Sequence, residues 1–102
     1  MIRHILFWKF NEQTRTRQDT GELIRRMDRS ARNMVGKIDG LLRAEVGENT
    51  AGGQWDFIFY SELTDQAALD AYQNHPLHQA HKQMCAPWLA ERLAGDLYTD
   101  EV

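Results

Sequence analysis

Apolar residues open the chain at every second position. Ile2, His4, Leu6, Trp8 and Phe10 share one side of an extended segment and Ile5 and Phe7 the other, so this strand is hydrophobic on both faces. A polar stretch at 11–15 follows, where Thr16 is placed to cap a helix with Asp19 as its third residue. Leu23, Ile24, Met27, Ala31, Met34, Val35 and Ile38 then recur at helical spacing, which predicts an amphipathic helix ending among Gly36 and Gly40. Leu42, Ala44 and Val46 alternate with Arg43 and Glu45 as a short strand, and Gly47 to Gln54 is rich in turn residues. Trp55, Phe57 and Phe59 alternate with Ile58 and Tyr60 in a second strand that is apolar on both sides. Thr64 or Asp65 caps a helix carrying Ala67, Ala68, Leu69, Ala71 and Tyr72. Pro76 interrupts it, because proline lacks an amide donor and disfavours helical geometry at His75. Helix resumes to about Ala86, Pro87 closes it, and the remainder to Tyr98 is a last, partly exposed strand.

The order is β-α-β-β-α-β, two β-α-β halves, which defines an α+β fold of the ferredoxin-like kind over residues 1–102 as a single domain. Its antiparallel four-stranded sheet carries both main helices on one face, because both crossovers are right-handed. The opposite face is left bare although two strands are apolar on both sides. A monomer would expose Trp8, Phe10, Phe57 or their neighbours, so a homodimer packed sheet to sheet is expected.

Composition narrows the classes. The chain has 102 residues, of which 42% are hydrophobic, with a net charge of -3; this suits one compact domain. No apolar run is long enough to span a bilayer, so no membrane partner is expected, and a single Cys85 excludes an intramolecular disulfide framework. A cytoplasmic location follows as the expectation. Residues 1–43 hold ten Lys or Arg against five acids, residues 44–102 two against ten. The basic block Arg25, Arg26, Arg29 and Arg32 interleaves with Glu22 and Asp28, the pattern of a solvated helix face and not of a nucleic-acid surface. Pairing between the two halves is the expected use of the asymmetry.

Chemistry concentrates in Asn74-His75-Pro76-Leu77-His78-Gln79-Ala80-His81, which holds three of the four histidines. His75 either satisfies the backbone groups freed at Pro76 or contacts a ligand. His4, in the middle of an apolar strand face, needs a partner or a cavity. Tyr72 is either a core aromatic with its hydroxyl satisfied or part of a site. Trp88 is either an anchor in the core or rim or a stacking surface for a ligand. His78, His81 and Cys85 share a helix face with the side chains of a Zn or Cu site, but three ligands at a common helical spacing carry no metal assignment. There is no phosphate-binding glycine loop, nucleophile elbow or paired-carboxylate motif, and no cofactor is expected.

The segments MIRHILFWKF at 1–10, WDFIFYSE at 55–62 and YQNHPLH at 72–78 resemble the stress-responsive A/B barrel (Dabb) family over almost the whole chain. The resemblance implies a dimeric α+β barrel in which two four-stranded sheets close around a cavity. It also implies a cofactor-free chemistry known from plant polyketide cyclases of the family, the aldol condensation of a linear polyketide thioester. There a tyrosine and a histidine at positions matching Tyr72 and His78 are catalytic, and a histidine matching His4 lines the pocket. A neutral imidazole takes a proton next to a carbonyl and a phenol steadies the oxyanion. With the ordinary imidazole pKa near 6.5, activity would rise through that pH. Asp56 stands where the cyclase has a further pocket histidine, a departure that argues against the same substrate. Some plant relatives hold Mg at helix-end carbonyls, matching Arg32 to Ile38 here. The expected function is a Dabb-type homodimer that binds a small apolar or aromatic molecule, with His78 and Tyr72 as candidate catalytic residues and His4, His75 and Trp88 as candidate ligand contacts. The alternatives are a non-enzymatic stress-responsive or assembly protein and a cofactor-independent monooxygenase.

Overall fold

The structure, a computed structural model, describes residues 1–100. Its elements are β1 (Ile2–Phe10), α1 (Glu12–Arg15), α2 (Thr20–Met34), β2 (Leu41–Glu48), β3 (Phe57–Leu63), α3 (Gln66–Asn74), α4 (Pro76–Cys85), a 3₁₀ turn (Ala86–Trp88) and β4 (Leu89–Tyr98). The strands form one sheet in the order β2-β3-β1-β4, antiparallel at every step. This is the ferredoxin-like α+β arrangement, with the long helices over one face.

Helix α2 buries Leu23, Met27, Ala31 and Met34, the predicted stripe. They meet Leu6, Phe10, Phe57, Phe59 and Leu63 of the sheet in one hydrophobic cluster. The start of this helix differs from the sequence reading. Asn11 caps a separate short helix, accepting from Thr14 N at 2.9 Å, and Thr16 ends that helix instead of opening the next. Asn11 also donates to Pro87 O at 2.7 Å, which ties the end of β1 to the turn before β4.

Three strand details depart from simple alternation. Register shifts in β2 between Leu41 and Arg43, so Leu41 is buried and Leu42 is exposed. The third strand begins at Phe57, and Trp55 lies apart from the side of Phe57 and Phe59, packing on Phe7 with ring centroids 6.4 Å apart. Asp56 sits between them as a structural clasp. Its Oδ2 accepts from Phe10 N at 2.8 Å and from Arg15 Nη2 at 3.0 Å, where β1 changes register against β4.

Cross-strand partners share a face. Ile2, His4, Leu6 and Trp8 of β1 therefore lie with Tyr98, Asp96, Ala94 and Arg92 of β4 on the helix side. The outer side presents Ile5 and Phe7, Ile58 and Tyr60 of β3, and Leu93 and Leu97 of β4. Those two leucines are 53% and 55% exposed. The bare apolar face thus exists, but Trp8, Phe10 and Phe57 belong to the helix side, so the side chains named for that face in the sequence reading are corrected.

The charge halves meet mainly through the sheet: Lys9 to Glu91 at 3.4 Å and Arg15 to Asp56 at 3.0 Å. Most arginines of α2 are neutralised on their own helix, Arg25 and Arg29 by Glu22 and Arg32 by Asp28, and only Arg32 reaches across, to Glu45 at 3.2 Å. Among the described residues no helix is long and apolar enough to cross a membrane.

Candidate functional site

The break at Pro76 creates the site's geometry. His75 ends α3 and caps α4, its backbone extended at φ -70° and ψ 138° and its Nδ1 accepting from Leu77 N at 3.1 Å. Proline at the first helical position needs no donor there. The chain changes direction at this residue, and α4 lays His78, His81 and Cys85 inward.

Between α4 and the helix side of the sheet lies a cavity of about 730 Å³. Leu6, Trp8, Phe57, Phe59 and Leu89 form apolar wall, and His4, His78 and His81 are among its polar residues. A volume of this order suits one small organic molecule. This cavity lies within one protomer, between helix and sheet.

His4 is 5% exposed and its Nδ1 is 2.5 Å from Asp96 Oδ1 on β4. The carboxylate holds the ring in one orientation and leaves Nε2 as the nitrogen for other partners. His78, equally buried, packs edge-on against Tyr72, with centroids 4.1 Å apart and planes at 80°. Its Nδ1 is buried without a hydrogen-bond partner among the described residues. Burial first, and then the charges of His81, Lys82 and His4, push the His78 pKa down to about 4. At pH 7 it is neutral. Burial holds the Tyr72 hydroxyl protonated by pushing its pKa well up. Tyr72 stands behind His78 and does not line the cavity.

Next to His78, His81 is bound on both nitrogens: Nδ1 to Ser30 Oγ at 2.8 Å and Nε2 to Cys85 Sγ at 3.6 Å. Burial pushes the Cys85 thiol up to about 12 and the His81 imidazole down to about 4. A protonated thiol donating to Nε2 leaves Nδ1–H to donate to Ser30, a tautomer that ties α4 to α2. These partners occupy the nitrogens a metal would need. Among the described residues no group of three His, Cys, Asp or Glu side chains is placed to hold one.

Of the five residues singled out from sequence, the structure brings His4 and His78 to the cavity, with Tyr72 directly behind. His75 and Trp88 stand outside its lining. His75 is spent on the helix cap, and Trp88 packs under the Arg26 guanidinium, 5.2 Å from the ring centroid. Asp96, which orients His4, was missed. An acid at an inward position of an edge strand was the available signal, but its partner depends on the β1–β4 register.

Fold and site together define a ferredoxin-like domain with a histidine-lined cavity beneath a proline-broken helix. The match to the Stress responsive A/B Barrel Domain model runs over residues 2–99, and the chain belongs to that family. A dimeric ferredoxin-like protein from Thermobifida fusca is similar at 28% identity and a TM-score of 0.76, over 96% of this chain and 90% of that one. A dimeric protein of ferredoxin-like fold from Bacteroides fragilis superposes with a TM-score of 0.82 at 22% identity, over 96% and 95%. A Dabb family protein from Mesorhizobium loti gives 0.73 at 24%, again over 96% and 95%. No curated protein matches the sequence.

Proposed function

We propose that the protein is a homodimer, joined through the outer sheet faces, whose protomers each hold a small apolar or aromatic molecule and act on it by cofactor-free acid/base chemistry. The observation that carries this reading is the cavity of about 730 Å³ that joins an apolar wall to His4 and His78. Two structures of the same fold are described as dimeric, which supports the assembly.

In this reading His78 takes a proton next to a carbonyl of the bound molecule, and His4, its Nδ1 held by Asp96, turns Nε2 toward the same molecule as a hydrogen-bond acceptor. Tyr72 positions the His78 ring from behind. This replaces the direct oxyanion contact expected from the resemblance, because the phenol is off the cavity wall.

A linear poly-β-keto thioester is the test substrate, with products followed by mass spectrometry. Cyclised product is expected, in equal yield with and without oxygen. His78→Gln should lower the rate by about 10² to 10⁴ while the protein stays folded, and Tyr72→Phe should cost less. The acid limb of the rate profile should fall near pH 4, not near 6.5, because the folded protein keeps His78 neutral down to that range. Turnover at the native rate by folded His78→Gln overturns the assignment of the base. Absence of turnover, together with an empty cavity in protein purified from its own cells, favours a non-enzymatic role.

A further inference from the structure

The cavity's charge stands out against the chain around it. Residues 44–102 contain two cations, Lys82 and Arg92, among ten acids. Both line the cavity. Lys82 lies one helical turn beyond His78 on α4. Arg92 lies on the helix side of β4, across from Trp8.

Neither cation has an ion pair or hydrogen bond among the described residues, whereas Arg15, Arg25, Arg29 and Arg32 each sit within 3.4 Å of a carboxylate. No Asp or Glu lines the cavity. In a chain with 15 acids and 12 bases, a wall with two uncompensated cations and no acid attracts anions that the rest of the molecule repels. His78 and His81 do not add to this charge, since burial keeps both neutral at pH 7. His78 stands on the same wall as a neutral polar group.

Lys82 and Arg92 are exposed, as are Gln73, Asn74 and Gln83, so they mark the mouth, while Leu6, Phe57 and Phe59 are buried at the floor. The two chemistries are thus separated along the depth of one cavity.

We infer that the cavity selects an amphipathic acid, an apolar or aromatic body carrying a carboxylate, with the body on the floor and the carboxylate between Lys82 and Arg92. The inference rests on the small-molecule reading above and adds the class of ligand. Arginine contributes a planar fork matched to a carboxylate and lysine a mobile ammonium.

Calorimetry with 2-naphthoate and its neutral isostere 2-naphthamide tests it on the intact protein. The acid should bind about tenfold or more tightly than the amide, the size expected of charge-assisted contacts at a solvated rim. Added salt should narrow the gap. In the double variant Lys82→Gln, Arg92→Gln, which alters only exposed side chains, the acid should lose its advantage and the amide should bind as before. Equal affinities in the wild-type protein overturn the carboxylate assignment and leave the small-molecule reading standing. A preference that survives in the double variant overturns the role of these two residues. If neither compound binds, both readings fail.

Discussion

His78 and His81 are weak bases held uncharged by burial, and this links stability to pH in a definite direction. In the unfolded chain each titrates near 6.5; in the fold each titrates near 4. Below about pH 6.5 the unfolded state binds protons that the folded state refuses, so their contribution is present above that pH and is lost as pH falls toward 4. Between pH 7.5 and 5 the loss should be about 2 kcal/mol for each histidine. Urea denaturation across this range checks it, with His78→Gln expected to flatten the profile by one histidine's share. A flat wild-type profile would show that the two imidazoles reach solvent. Legibility differed among these residues. His78 stood out beside Pro76, whereas the Tyr72 ring that packs on it lies across the break, and its neighbour His81 is held by Phe59 of the sheet and Ser30 of α2, both distant in the chain.

At the scale of elements, connections decide where the helices sit. Gly40, between α2 and β2, has φ +82° and its carbonyl accepts from Thr64 N at 2.9 Å. A Cβ there would lie 2.5 Å from Ala68 Cβ and 3.0 Å from Thr64 Oγ1, against the first turn of α3. Gly52, at φ +76° in the β2–β3 turn, has open space around it. Gly52→Ala should therefore cost about 1 to 2 kcal/mol from backbone strain alone. Gly40→Ala should cost about 3 kcal/mol or more, because overpacking adds to the strain. Chemical denaturation of both variants separates the two causes, and equal losses would mean that α3 moves aside freely. The helical stripes, the break at Pro76 and the cap at Asp65 were legible because each is a local matter of spacing or backbone chemistry. The early stop at Thr16 and the shift between Trp8 and Phe10 were not, since Asn11 and Asp56 act through contacts with remote backbone.

For the whole molecule the outer sheet face matters most. Ile5, Phe7, Ile58, Leu93 and Leu97 lie on one side, ringed by pairs such as Arg3–Glu62 and Lys9–Glu91. An obligate dimer of this kind buries roughly 2,000 Å² or more in total. Wild-type protein should sediment as a dimer at submicromolar concentration. Leu93→Asp places a charge on the outer face at a residue 53% exposed in the protomer, so it should weaken dimerisation by about 10² or more and leave the fold intact. A wild-type monomer, or a Leu93→Asp dimer of unchanged affinity, would refute sheet-to-sheet pairing.

Periodicity alone determined the element order and the buried stripe of α2, because both depend on residues a few positions apart. Right-handed crossovers then determined that one sheet face stays bare. Which side chains occupy that face was left to tertiary structure: the register of β1 against β4 assigns Leu93 and Leu97 to the outside and Asp96 and Arg92 to the helix side. The same register pairs His4 with Asp96, 92 positions away. Cavity, orphan imidazole nitrogen and unpaired cations all arise where α4 crosses above the sheet, and no pattern within a single element specifies that distance.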